Sequence, residues 1–322
     1  MKGSYRIIIK NAKLHYDFII KRNISLIRGD SGTGKSTLID MIDEYYNSPR
    51  DSGINLSCSV PCRVIGGRDW KTTLENINRS IVFIDEENSF LPTDEFASAI
   101  CNSDNYYVIV SRESFPNLPY SVEEIYGIRT SGKYASIQQT YNEFYRIYET
   151  EFSRLPIHPK NIIVEDSNAG FEFFSTFLSG EKIKVISASG KSNILPLLKN
   201  NFDGETLVIA DGAAFGSDMD RVVKFKKKHS NIALYLPESF EWLILSSQIL
   251  KDKHIDDILT TPENYIESKQ FFSWERYFTE LLTKTTANTF LQYNKSKLNA
   301  AYLNKEIAKR IINTIKGIDF NI

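Results

Sequence analysis

Asn23-Ile-Ser-Leu-Ile27, Gly29-Asp-Ser-Gly-Thr-Gly34-Lys35-Ser36 and Thr37-Leu-Ile-Asp-Met-Ile-Asp-Glu-Tyr-Tyr46 follow one another with Arg28 alone between the first two. The first is a short apolar run of the buried-strand type. In the third, apolar residues fall at 38, 39, 41, 42 and 45, the spacing of one helix face. The eight residues between carry three glycines, which reach backbone angles closed to other residues. Strand, glycine loop, helix is the expected order. It sets a helix N-terminus, with its free N–H groups and partial positive charge, beside the loop.

Upstream, Tyr5 to Lys10 and Leu14 to Ile20 read as an antiparallel hairpin turning at Asn11-Ala-Lys13. Downstream, a short helix from Trp70 to Ile77 precedes Ser80-Ile-Val-Phe-Ile-Asp85, and a helix from Asp94 to Ile100 precedes Tyr106-Tyr-Val-Ile-Val-Ser111. Continuous apolar strands alternating with helices imply a parallel sheet covered on both faces.

Gly29 to Ser36 matches G-x-x-x-x-G-K-[ST], the Walker A pattern of P-loop nucleotide-binding proteins. In that reading Gly29, Asp30, Ser31, Gly32, Thr33, Gly34, Lys35, Ser36 and Thr37 cradle a polyphosphate. Lys35 reaches the β- and γ-phosphates, and Ser36 sets its hydroxyl on Mg²⁺. Asp85 closes an apolar strand, as a Walker B carboxylate holding Mg²⁺ does, and Glu86 is placed to orient or deprotonate a water. Ser111, at the tip of the next strand, is a candidate sensor of the terminal phosphate, and Arg112 a candidate cationic contact. Lys35, Asp85 and Glu86 are thus the expected catalytic residues, with ATP and Mg²⁺ as the expected substrate and cofactor. These residues resemble the P-loop NTPases with an added catalytic Glu, the ABC- and AAA-type ATPases. The opening hairpin is similar to the head of the OLD-family nucleases. Forty-eight residues lie between Ser36 and Asp85 without an L-S-G-G-Q-like signature, so a transporter-style sandwich dimer is not expected.

A second alternation starts after Leu155-Pro-Ile-His-Pro159. Strands are expected at 161–165, 182–187, 206–211 and 231–236, and helices at 170–178, 192–200, 218–229 and 239–250. Glu165 and Asp211 end two of these strands. That order resembles a Toprim domain, in which carboxylates collect Mg²⁺ for phosphodiester chemistry. The resemblance implies Glu165 and Asp211 as ligands of a second metal. Ala213 stands where the family's D-x-D has its second Asp, leaving Asp218, Asp220, Glu238 and Glu241 as possible replacements. The tail shows helical periodicity at 271–283 and 301–315 without a motif. The expected domains are therefore a P-loop NTPase domain at 1–155 with its N-terminal hairpin, a Toprim-like α/β domain at 160–255, and a helical segment at 256–322.

Composition narrows the function classes. Lys plus Arg number 39 and Asp plus Glu 40, so charge alone does not mark a nucleic-acid-binding module. The cluster Lys224-Phe-Lys-Lys-Lys-His229 reads either as a phosphate-tracking patch or as a solvated helix face. Absence of an 18-residue apolar run, and of an apolar leader core, makes a cytoplasmic protein without membrane partners the expectation. Cys58, Cys62 and Cys101 imply no disulfide framework, and the four dispersed histidines imply no metal site. The sequence reads as an ATPase whose C-terminal module engages a nucleic-acid or protein partner, with a homo-oligomer left open. The alternatives are an ATP-gated, metal-dependent nuclease and a nucleotide-sensing switch with little turnover. The whole chain also resembles small ATP-binding proteins of bacterial mobile elements and, in arrangement, effectors of phage defence.

Overall fold

The computed structural model describes residues 1–30, 32–131, 139–148, 156–200 and 202–320. The chain divides into two compact units, Met1–Tyr148 with Thr261–Ser273, and Glu149–Thr260 with Trp274–Ile322. No helix among the described residues is long and apolar enough to cross a membrane.

The first unit carries strands β1 (Tyr5–Lys10), β2 (Leu14–Ile20), β3 (Ile24–Arg28), β4 (Asn55–Ser57), β5 (Cys62–Val64), β6 (Ile81–Ile84), β7 (Tyr106–Val110), β8 (Ile125–Ser131) and β9 (Thr140–Arg146). Its helices are α1 (Lys35–Asn47), α2 (Trp70–Glu75) and α3 (Asp94–Cys101). The strands form one mixed sheet in the order β4-β1-β2-β9-β8-β3-β7-β6-β5. Strands β8, β3, β7, β6 and β5 run parallel, and the β1–β2 and β8–β9 pairs are antiparallel.

Successive side chains of a strand leave on opposite faces, and here they enter two separate cores. Ile27, Ile81, Phe83, Tyr106, Val108 and Val110 pack with Leu38, Ile39, Met41 and Ile42 of α1. Ile24, Leu26, Val82, Ile84, Tyr107 and Ile109 pack with Trp70 and Leu74 of α2 and Phe96 and Ile100 of α3. Ile7, Ile9, Tyr16, Phe18 and Ile20 of the hairpin join the α1 side. The sheet also curls around that side. Its outermost strands β4 and β5 are joined by Cys58 to Pro61, a link spanning at most about 18 Å, whereas nine flat strands would set them roughly 38 Å apart.

The second unit holds β10 (Asn161–Val164), β11 (Lys184–Ser187), β12 (Thr206–Ile209) and β13 (Ile232–Tyr235), all parallel, in the order β11-β10-β12-β13. Its helices are α4 (Ala169–Phe177), α5 (Ile194–Leu198), α6 (Gly216–Lys226), α7 (Phe240–Ser246), α8 (Lys253–Thr260), α9 (Trp274–Thr286) and α10 (Lys305–Ile312). Phe173 and Phe174 of α4 meet Phe240 of α7 with ring centroids 5.4 and 6.1 Å apart. The architecture is mixed α/β throughout, a large mixed sheet and a separate parallel one, each with helices.

The sequence expectation missed β8 and β9, whose polar residues (Arg129, Asn142, Glu143) dilute the apolar signal. It also placed the first tail helix three residues early, at 271–283, and drew the second too broadly, at 301–315. Trp274–Thr286 and Lys305–Ile312 are helical, and the stretch between is turns and irregular chain with a short 3-10 helix at Ala300–Leu303.

Candidate functional site

Register decides which residues of the first unit meet. β3, β7 and β6 are adjacent and parallel, with Ile27 opposite Val110 and Ile84 opposite Ile109. Their carboxyl ends share one sheet edge, so the glycine loop, Ser111-Arg112 and Asp85-Glu86 emerge side by side. Ser111 stands in the middle, and the outer two tips are roughly 10 Å apart, two strand spacings. Parallel α/β sheets bind ligands beyond this end of their strands.

Gly29, Gly32 and Gly34 have φ of 140°, 82° and 85°, so the loop needs glycine at each. Tyr16 of β2 braces it, donating its hydroxyl to the Gly34 carbonyl at 2.9 Å. The Thr33 hydroxyl donates to the Asp30 carbonyl at 3.1 Å. Lys35 is buried, and its Nζ donates to the carbonyls of Gly29 (2.9 Å) and Asp30 (2.6 Å) and to Thr33 Oγ1 (3.1 Å). Burial lowers its pKa, the Glu86 carboxylate pulls it back up, Arg112 lowers it again, and Asp30 and Asp85 raise it. Both strand-end carboxylates therefore lie within electrostatic reach of the loop ammonium. Gly32, Ser36 and Thr37 are exposed. Ser31 lies outside the described residues.

Helix α1 starts from this loop without the usual neutralisation. Gly34 is its N-cap in the left-handed conformation, no side chain caps it, and its first turn has no acidic residue. Its leading N–H groups lack acceptors within the helix and carry its positive pole. An anion suits that place, and phosphate suits it best.

Asp85 accepts the Glu86 N–H at 2.7 Å, and its carbonyl accepts Asn88 Nδ2 at 3.0 Å, fixing the turn. Arg112 Nε lies 3.5 Å from Glu86 Oε2. With the Arg112 side chain 57% exposed, that pair contributes at most about 1 kcal/mol and separates readily. Ser111 is buried, and its hydroxyl accepts the Glu113 N–H at 3.0 Å, so it shapes the turn from beneath. A cavity of about 400 Å³ opens here, lined by Glu86, Asn88, Ser111, Arg112 and Phe115 among others.

In the second unit the chain runs from β10 to β11 on one side, then to β12 on the other. The crevice between the ends of β10 and β12 is a topological switch point, where such sheets hold ligands. Glu165 and Asp211 sit there, and Glu165 Oε2 accepts the Asp211 N–H at 2.9 Å. With Asp166 and Glu241 they line a cavity of about 20 Å³, room for a single water or ion. Asp218, Asp220 and Glu238 are not among its lining residues, and the buried Ala213 contributes nothing to it.

Two further carboxylates of this cavity, Asp166 and Glu241, already have partners. Asp166 accepts the N–H groups of Gly170 and Phe171 at the start of α4. Glu241 accepts the Tyr293 hydroxyl at 2.8 Å, and Lys295 lies 4.0 Å from it while pairing with Glu275. The neighbouring half-buried Lys191 donates to the Ala214 carbonyl at 2.8 Å. Burial raises the pKa of Glu165, Asp166 and Asp211, and carboxylate neighbours raise that of Asp211 further. Burial opposes the charge on Lys295, but Glu241 and Glu275 hold it firmly protonated. Among the described residues no three His, Cys, Asp or Glu side chains converge as metal ligands.

Sequence reasoning missed Tyr16, Lys191, Glu275, Tyr293 and Lys295. Tyr16 lies on the strand preceding the loop strand. The other four belong to no motif, and only folding brings them to the strand ends.

No family model matches the chain, and searches of curated proteins and of solved structures return no significant match.

Proposed function

We propose that the protein is a Mg²⁺-dependent ATPase of the P-loop class, with its site at the carboxyl ends of β3, β7 and β6. The uncapped, acid-free N-terminus of α1 beside the Lys35 ammonium is the observation that carries this reading. The loop N–H groups bind the phosphates, and Lys35 exchanges its bonds to the Gly29 and Asp30 carbonyls for phosphate oxygens. Ser36 and Asp85 would hold Mg²⁺, which when bound neutralises phosphate charge. Glu86, released from Arg112, orients the attacking water and accepts its proton, and Arg112 is freed to face the phosphates. Phosphoryl transfer asks mainly for such positioning and charge compensation. Adenine is taken as the base by default.

In the second unit Glu165 and Asp211 are the residues on which the nuclease alternative rests, with Lys295 4.0 Å from the neighbouring Glu241. We read that unit as the module through which the ATP cycle reaches a nucleic-acid or protein partner.

Calorimetry and phosphate release test the proposal. Lys35→Ala should abolish ATP binding. Glu86→Gln should keep binding and slow turnover by about 10²- to 10⁴-fold. Unchanged affinity in Lys35→Ala overturns the assignment of the loop. Wild-type chain that binds ATP but releases no phosphate in a single turnover selects the switch alternative.

A further inference from the structure

The link from β4 to β5 carries the chain between the two edges of the curled sheet in the four residues Cys58, Ser59, Val60 and Pro61. Cys58 leaves one edge strand, and Cys62 opens the other. The Cys62 thiol and the N–H groups of Val60 and Ser59 lie beside Cys58 Sγ. The Cys62 hydrogen bond, joined by those N–H groups, holds the Cys58 thiol below its ordinary pKa despite partial burial. The same bond and burial push Cys62 up. One sulfur is thus prepared as the nucleophile and the other, in contact with it, as the resolving thiol.

Access matches this division. Cys62 is buried and Cys58 half-buried. Both line a cavity of about 300 Å³ with Tyr45, Tyr46 and Arg63, whose guanidinium lies 4.1 Å over the Tyr46 ring. Tyr45 and Tyr46 belong to α1, and Cys62 packs in the core that encloses α1. The third cysteine, Cys101, lies at the end of α3, a helix on the other face of the sheet.

We propose that Cys58 and Cys62 form a thiol–disulfide pair, oxidised by a low-molecular-weight disulfide, whose bond locks the link between the two sheet edges around α1. The Cys58 thiolate attacks one sulfur of the oxidant, forming a mixed disulfide and releasing one thiol. Cys62, giving up its proton, attacks Cys58 Sγ and expels the second thiol. Two protein thiols become one disulfide as one small disulfide becomes two thiols. This chemistry is independent of the nucleotide reading.

The test incubates the full chain with oxidised glutathione and follows intact mass, peptide map and maleimide-reactive thiols. The expected product lacks two hydrogens, maps to a Cys58–Cys62 cross-link, retains Cys101 as its maleimide-reactive thiol, melts at a higher temperature and reverts with dithiothreitol. Cys62→Ser should stop at a glutathione adduct on Cys58, and Cys58→Ser should react far more slowly. Wild-type chain that keeps three thiols, stalls as an adduct or cross-links between chains overturns the pair, whatever the variants do. An oxidised chain melting with the reduced one overturns the lock.

Discussion

Gly34 meets two demands at once. Its φ of 85° lies where a side chain costs about 1–2 kcal/mol, and a Cβ there would stand 2.7 Å from the Tyr16 hydroxyl oxygen. Gly34→Ala should therefore lose more stability than the backbone term alone. Gly34→Ala combined with Tyr16→Phe removes the clash and keeps the backbone cost. Urea midpoints of the four chains in this cycle should show a smaller alanine penalty when Tyr16→Phe is present. An equal penalty with and without it would mean that Tyr16 does not press on the loop. The glycines and Lys35 were legible in the sequence because the motif is local. Tyr16 was not, since its role depends on how β2 lies against the loop.

At the scale of the element, α1 leaves the positive pole at its N-terminus without a side-chain cap or a counter-charge. It lacks the side-chain cap and first-turn acid that α3 has in Thr93, Asp94 and Glu95. Thr37 is exposed in that first turn, so Thr37→Glu would supply the missing negative charge at the positive pole. The substitution should stabilise the ligand-free protein by about 0.3–1 kcal/mol and weaken ATP binding by repulsion. Melting and calorimetry should move in opposite directions. If both improve, the helix N-terminus is not where phosphate binds. Strands β3, β6, β7, β10 and β12 were readable as continuous apolar runs, and helix α1 by its periodicity. The β8–β9 hairpin was not, because strands that keep polar residues resemble loops until they are paired.

For the whole molecule, the first unit is not continuous in sequence, because residues Thr261–Ser273 complete it. Ser268 N–H donates to the Met1 carbonyl at 2.8 Å, and Gly3 N–H to the Glu263 carbonyl at 2.6 Å. Asn23 Nδ2 donates to the carbonyls of Ser268 and Phe271, and Phe272 packs against the α2–α3 core. A fragment of residues 1–148 forfeits these contacts. At about 1 kcal/mol per hydrogen bond it should melt roughly 10 °C below the same fragment joined to residues 261–273 by a flexible linker, by calorimetry. Equal melting temperatures would mean that the segment contributes nothing to the unit.

The sequence by itself determined the alternation of strand and helix, the glycine loop with Lys35 and Ser36, and the acidic residues that end β6, β10 and β12. Each depends on side-chain periodicity or on conformational freedom within a few residues, which a linear pattern records. Tertiary structure alone decided that Ser111 stands between the loop and Asp85, that the sheet curls until Cys58 and Cys62 join its edges, and that Lys295 reaches carboxylates from far upstream. Those placements follow from strand order and from burial shared by distant segments. Neither is written in the spacing of any one stretch of chain.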